Sequence, residues 1–377
     1  MQSGQFVRSM AAGVAALAFM ASGTRAEERI GPNSRAEATR IVAEMRRIVT
    51  PEGVERLEKV RIGGIDQWIS VRGFDRRNPI LLFIHGGPGF PAMPTSWSYQ
   101  RGWEEYFTVV QWDQRGTGKT YVTNDPAQVG PTMTPERMIA DTEEMIDWLR
   151  REFGKQKIFV LGHSWGSYLG LEIARRHPEW LHAYIGMGQA TNSRESERRG
   201  WQFAIDHARR AGNEAAAREL QSIAGYEKAD RLSLEAVELQ RKWLGVYGGA
   251  VRGRKRFDHE IVGTALAPEY SDADVTSIWT ASDFSEQRLL SAVLTVDFST
   301  VAALKCPLIL FNGRDDYNVS ASLAAEWFER LAAPSKTLVW FERSAHDIMN
   351  EEPGKMLIAL VQHARPIAER AGDVAPP

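Results

Sequence analysis

Ser164 lies in the run Val160-Leu161-Gly162-His163-Ser164-Trp165-Gly166-Ser167, with a glycine two residues to either side. A serine hydroxyl is a weak nucleophile until a base takes its proton, and that base needs a carboxylate to orient it. The chain supplies both residue types downstream, in Gly313-Arg314-Asp315-Asp316 and in Ser344-Ala345-His346. Serine, then acid, then histidine is one of the chain orders in which hydrolytic triads are built. His346 is the expected base and Asp316 the expected acid, with Asp315 as the alternative. Such a set attacks a carbonyl carbon and passes its acyl group to water, from an amide or from an ester. The chemistry also needs two N–H groups for the oxyanion. Trp165, directly after the serine, offers one. The loop His85-Gly86-Gly87-Pro88-Gly89 offers the other, assigned to Gly87 because Pro88 has no N–H.

Four loops far apart in sequence must therefore meet at one edge of a scaffold. Ile80–Ile84 is a continuous apolar run, as a strand covered on both faces should be. Phe107–Trp112, Lys157–Leu161 and Leu181–Met187 follow as further strands, with helical patterns at Pro135–Phe153 and Trp165–Arg176 between them. That alternation predicts an α/β fold with a mostly parallel central sheet and helices on both faces. A Gly-x-Ser-x-Gly between a buried strand and a helix is a nucleophile elbow: the chain reverses sharply, and the crowded positions two residues away must lack side chains. Upstream, Arg35–Val49 reads as a helix, and Leu57–Ile62 with Gln67–Val71 as a hairpin turning at Gly63-Gly64. From Thr191 to Ser299 the strand rhythm stops in favour of charged, tryptophan-bearing helices. This predicts a helical cap over 191–299, set into a core formed by 27–190 and 300–377. Strands return at Leu308–Phe311 and Thr337–Phe341, a helix follows Glu351, and the tail Ala371–Pro377 is expected to fray.

The bulk composition of the 377 residues excludes several classes. One cysteine, Cys306, makes neither an internal disulfide nor a cysteine metal cluster. A formal net charge of −2 gives no reason to expect a nucleic-acid or acidic-membrane partner. Gly116-Thr117-Gly118-Lys119-Thr120 resembles the end of a phosphate-binding loop, but the required first glycine falls on Asp113. There is no His-Glu-x-x-His for a zinc peptidase. At the N-terminus, Arg8, the apolar run Met10–Ala21 and the small residues up to Ala26 form a secretory leader pattern, with cleavage expected near Ala26 or at Ala21-Ser22-Gly23. That run is shorter than the roughly 20 residues that span a bilayer. An exported protein, periplasmic or secreted and without stable membrane insertion after cleavage, is expected. His163 and His85 read as structural.

Taken together, HGGPG at His85–Gly89, WDQRGTGKT at Trp112–Thr120, GHSWGS at Gly162–Ser167, GRDD at Gly313–Asp316 and SAH at Ser344–His346 resemble the proline iminopeptidase family of α/β-hydrolases. The resemblance implies the α/β-hydrolase fold, a triad of Ser164, Asp316 and His346, and an oxyanion hole from Gly87 and Trp165. It implies release of a small N-terminal residue from a peptide or amide through an acyl-enzyme, without metal or cofactor. A carboxylesterase or lactonase acting on small apolar esters is the alternative use of the same residues. The family holds the substrate's free amine with cap carboxylates, commonly near a tryptophan–glutamate pair. Here Trp243 is followed by Leu244, so Glu195 and Glu197 are the acids expected to serve. Phe90 stands where the family has another glycine and is expected to contact the substrate.

Overall fold

Ile80-Leu81-Leu82-Phe83-Ile84 is apolar at every position because both faces of its strand are covered: all five residues are buried. The structure is a computed structural model that describes residues 31–230, 232–254 and 257–376; the leader pattern lies outside these residues. After helix α1 (Arg35–Arg46) come strands β1 (Val54–Ile62), β2 (Ile65–Gly73), β3 (Ile80–Ile84), β4 (Thr108–Asp113), β5 (Ile158–His163), β6 (Leu181–Met187), β7 (Leu308–Gly313) and β8 (Lys336–Phe341). They form one eight-stranded sheet in the order β1-β2-β4-β3-β5-β6-β7-β8. The β1–β2 hairpin and the β2–β4 pair are antiparallel, and every other pair is parallel.

Side chains alternate between the two faces, as the pleat requires. Leu82, Ile84, Val160, Leu308 and Leu310 point into one apolar cluster, while Leu81, Phe83, Phe159, Leu161, Ile309 and Phe311 point into the other. Between β4 and β6 lie α2 (Gly118–Thr123), α3 (Pro126–Val129), α4 (Pro135–Glu152) and α5 (Trp165–Arg176). The first cluster is closed by Met138, Met145, Ile146 and Leu149 of α4 and Leu169 and Ile173 of α5. Helix α4 starts where Pro135 takes the first turn and the Thr134 hydroxyl accepts from the Arg137 N–H at 3.2 Å. The second cluster is closed by Trp103, Phe107, Met356, Leu360 and Ala368. Burying each large side chain contributes about 1.5–3 kcal/mol.

Between β6 and β7 the chain leaves the sheet for α6 (Ser193–Arg210), α7 (Glu214–Ser222), α8 (Leu234–Val246), α9 (Asp258–Gly263) and α10 (Asp272–Val293). A short antiparallel neck closes this excursion: Ser193 N–H donates to Val296 O at 3.0 Å and Phe298 N–H to Thr191 O at 2.6 Å. Helix α10 is clamped to the core loop after β4. The Tyr270 hydroxyl just before it donates to Asp113 Oδ2 at 2.5 Å, Lys119 Nζ to Asp274 Oδ2 at 2.7 Å, and Ser285 Oγ to Gly116 O at 2.9 Å. The chain ends in α11 (Ala321–Arg330), α12 (Ile348–Glu351), α13 (Pro353–Ala359) and α14 (Arg365–Arg370).

Two expectations are corrected here. Strands β5 and β7 run past their apolar stretches, because Gly162, His163, Asn312 and Gly313 still pair with neighbouring strands. The tail is anchored: His182 Nε2 donates to Asp373 Oδ2 at 2.8 Å, Lys155 Nζ bonds Oδ1 of the same carboxylate, and Val374 packs on the core. These bonds to one carboxylate outweigh the entropy that a polar tail would otherwise keep.

Candidate active site

Parallel strands carry their C-terminal ends to one edge, and the chemistry-bearing loops all leave from it. Gly87 follows β3, Ser164 follows β5, Asp316 follows β7 and His346 follows β8. At the elbow, a Cβ on Gly162 would stand 2.4 Å from Gly166 O, and one on Gly166 would stand 2.0 Å from Ile84 O. No side chain fits at such distances, which is why the serine has a glycine two places away on each side. Ser164 itself has φ 54° and ψ −119°; it is the one non-glycine with positive φ among the described residues. Such a conformation costs about 1–3 kcal/mol and persists only where its surroundings fix it. Here the Ser164 N–H donates to Met187 O at 3.0 Å, and Ser167 Oγ donates to Ser164 O at 2.6 Å.

His346 Nδ1 meets Asp316 Oδ2 at 2.8 Å, and both side chains are buried. The other carboxylate oxygen accepts from the N–H groups of Asn318 and Val319, each at 2.9 Å. Asp315 turns outward to Arg252, with Nη1 to Oδ2 at 3.0 Å. The insertion steadies both loops: Ala250 O accepts from His346 N–H and Gly249 O from Tyr317 N–H, each at 2.9 Å. His163 packs its ring 4.6 Å from the His346 ring and places Nε2 3.0 Å from His346 O. Burial, with His346 beside it, pushes the His163 imidazole well below its usual range, which suits a neutral spacer. His85 sits in the core with Nε2 accepting from Gln114 N–H at 3.3 Å.

Gly188 closes the remaining side. A Cβ there would stand 2.7 Å from His346 Cε1 and 2.9 Å from Nδ1, at a φ of +54°. Gly188→Ala is therefore expected to push the imidazole off its carboxylate and lower kcat by about 10², the usual cost of a misplacement near 1 Å. Steady-state kinetics beside a circular dichroism spectrum check this; unchanged kcat in a folded variant would remove the constraint.

Ser164, His346, Gly87, Trp165, Phe90 and Glu197 all line one cavity of about 940 Å³ between the sheet edge and the insertion. The two acids expected to hold an amine are placed otherwise. Glu195 does not line the cavity; its carboxylate takes Arg198 Nε and Nη2 at 2.6 Å each and Arg199 Nε at 2.9 Å. Those arginines, Arg198 foremost, push it down to about 2. Glu197 faces the cavity, but Arg241 Nη2 and Nη1 reach it at 2.5 and 3.0 Å and the Tyr226 hydroxyl at 2.5 Å, so its charge is already matched.

Beside Glu260 of α9, three other carboxylates line the cavity: Glu238 of α8 and Asp283 and Glu286 of α10. Glu286 is half-buried, with Ser282 Oγ donating to it at 3.2 Å. Burial raises its carboxyl, and the charges of Asp283 and Glu238 raise it further. Among the described residues none of the three has an ion-pair partner. Sequence reading missed them because an acid on a charged helix is ordinarily a solvated one. The available signal was the spacing Trp279, Ser282, Asp283, Glu286, Leu290, Val293, which keeps one face of α10 toward the cavity.

The profile of the alpha/beta hydrolase fold matches residues 79–346, and the chain belongs to that family; it is a hydrolase. Within the family it is proline-iminopeptidase-like. It is 31% identical over 312 residues to the probable aminopeptidase YbaC of Bacillus subtilis (strain 168), covering 82% of this chain and 96% of that one. It is 35% identical over 108 residues to the proline iminopeptidase of Neisseria gonorrhoeae, covering 29% of this chain and 32% of that one. A solved proline iminopeptidase-related protein from Thermus thermophilus shares the fold at a TM-score of 0.53 and 20% identity, over 86% of this chain and 99% of that one.

Proposed function

We propose that the protein is a serine aminopeptidase that releases the N-terminal residue of a small peptide or amide. His346 takes the Ser164 proton as Oγ attacks the carbonyl carbon. The backbone N–H groups of Gly87 and Trp165 receive the oxyanion, and the start of α5 adds favourable dipole there. His346 then protonates the leaving amine, water releases the acyl group by the reverse route, and Asp316 holds the imidazole throughout. The observation that carries the peptidase reading is the set of unpaired acids on the cavity wall. A cation belongs opposite Glu286, Asp283 and Glu238, and a substrate's free α-amine is one. The leader pattern in Met1–Ala26 supports an exported enzyme.

Glu286→Gln is expected to raise KM for an aminoacyl p-nitroanilide by roughly 10–100-fold, the worth of a hydrogen bond to a charged group. Hydrolysis of a short p-nitrophenyl ester should stay unchanged. Because the Glu286 carboxyl is raised, it loses its charge at a higher pH than an ordinary glutamate. KM for the amine substrate should therefore rise as pH falls through that raised value, and the glutamine variant should lose this dependence. Equal cleavage of free and N-acetylated anilides would defeat the amine site. Activity on esters alone would make the protein a carboxylesterase built on the same residues.

A further inference from the structure

The cavity is far larger than one prolyl ring requires, and its walls differ in character. Helix α10 runs along it, one face inward. Four residues beyond Glu286, about 6 Å along the axis, comes Leu290, and about 10 Å beyond Glu286 comes Val293. Opposite stands Val237 of α8, in the same apolar cluster as Leu290 and Leu232. Val293 and Val296 share a cluster with Tyr168, which lies on α5 one turn from the elbow. These six side chains make an apolar chamber continuous with the acids. The other wall, carrying Ser193, Ser196, Asn318 and Ser320, is polar.

Helix α10 also fixes where the chamber lies relative to the reacting carbonyl. A Cβ on Gly89 would stand 3.1 Å from Ser282 O and 2.6 Å from Ser285 Cβ, so this part of α10 sits on the oxyanion loop. Glu286 is one turn further along, and Leu290 one more. In an aminopeptidase substrate, the amine and the side chain hang from the same α-carbon, next to the carbonyl. An amine held at Glu286 directs that side chain along α10 into the chamber, and the leaving peptide falls to the polar wall.

Resting on the aminopeptidase reading, we propose that the residue released is one with a large apolar or aromatic side chain, held by Tyr168, Leu232, Val237, Leu290, Val293 and Val296, and that proline is a poor occupant. Each extra methylene accepted by an apolar pocket is worth roughly 10-fold or more in kcat/KM. Alanine and proline leave most of this chamber empty.

The experiment is a panel of leucine, phenylalanine, alanine and proline p-nitroanilides on the wild-type protein, with p-nitrophenyl butyrate alongside. Val293→Phe and Val237→Phe fill the chamber from opposite walls. Leucine or phenylalanine is expected to exceed alanine and proline by about 10-fold or more in kcat/KM. Either filling variant should erase that lead, bringing leucine and phenylalanine down to alanine; if both variants unfold, the wild-type ranking decides. Proline preferred over leucine, or alanine equal to it, overturns the chamber assignment and leaves the aminopeptidase standing. Cleavage of the ester alone overturns both.

Discussion

Replacing Ser164 with alanine is expected to lower kcat by about 10⁶ on amide and ester substrates alike, the scale seen when a hydrolytic nucleophile is removed. The fold should survive the change. The strain at φ 54° belongs to the backbone, and the bonds that hold it run through the Ser164 N–H and C=O, which alanine keeps. Substrate binding should survive too, because the acids and, Tyr168 apart, the apolar chamber lie on the insertion. KM is thus expected to change little while turnover collapses. Gly87 and Trp165 should leave a residual rate roughly 10³–10⁴ above water, since their N–H groups do not depend on the serine oxygen. A fluorophosphonate probe gives the complementary measurement: one label per wild-type molecule, on the peptide carrying Ser164, and none on the variant. Near-wild-type turnover in the variant, or a label elsewhere, would remove Ser164 from the chemistry.

The core of the molecule was legible because its constraints are local. A strand buried on both faces must be apolar at every position, so β3 announces itself in five letters, and the glycines at 162 and 166 are forced by atoms 2.4 and 2.0 Å away. The loops bearing Asp316 and His346 were locatable because strand rhythm shows where an edge must be. The cavity wall was not legible. Glu195, Glu197 and Glu286 are all glutamates on helices, and their own segments do not together say which one lacks a cationic partner. That depends on Arg198 and Arg199 one turn away in the first case and on Arg241, 44 residues downstream, in the second. Glu286 differs because α8 and α10 meet with acids facing acids, a property of packing between helices. The tail shows the same limit. A polar C-terminus reads as loose until His182 and Lys155 are seen to converge on Asp373.

The insertion is therefore more than a cover. Gly249 and Ala250 hold the loops of Asp316 and His346 by their carbonyls, and Asp113 at the end of β4 and Lys119 of α2 fix Tyr270 and the start of α10 against the core. Any change in how the insertion sits reaches the Glu286 wall of the cavity and His346 together.

Asp316→Asn is expected to lower kcat by about 10⁴, while Asp315→Asn leaves it within twofold, about 0.4 kcal/mol. The difference follows from what each carboxylate touches. Asp316 Oδ1 accepts from two backbone N–H groups, and Oδ2 faces His346 Nδ1. In asparagine one oxygen must become an NH₂. Facing the amides of Asn318 and Val319 it would set donor against donor, so the amide turns its oxygen to them and its NH₂ to His346. Nδ1 must then accept, which leaves the imidazole proton on Nε2, the atom that should take the serine proton. The ring stays in place in the wrong tautomer. Asp315 has no such position: its side chain is 39% exposed and paired with Arg252, itself 46% exposed. Exposed pairs of this kind are worth about 0–1 kcal/mol in stability and bear on no proton here. Turnover of both variants on one ester substrate, with thermal melts to confirm folding, makes the comparison. Loss of turnover in Asp315→Asn, with Asp316→Asn active, would move the orienting carboxylate to the neighbouring residue.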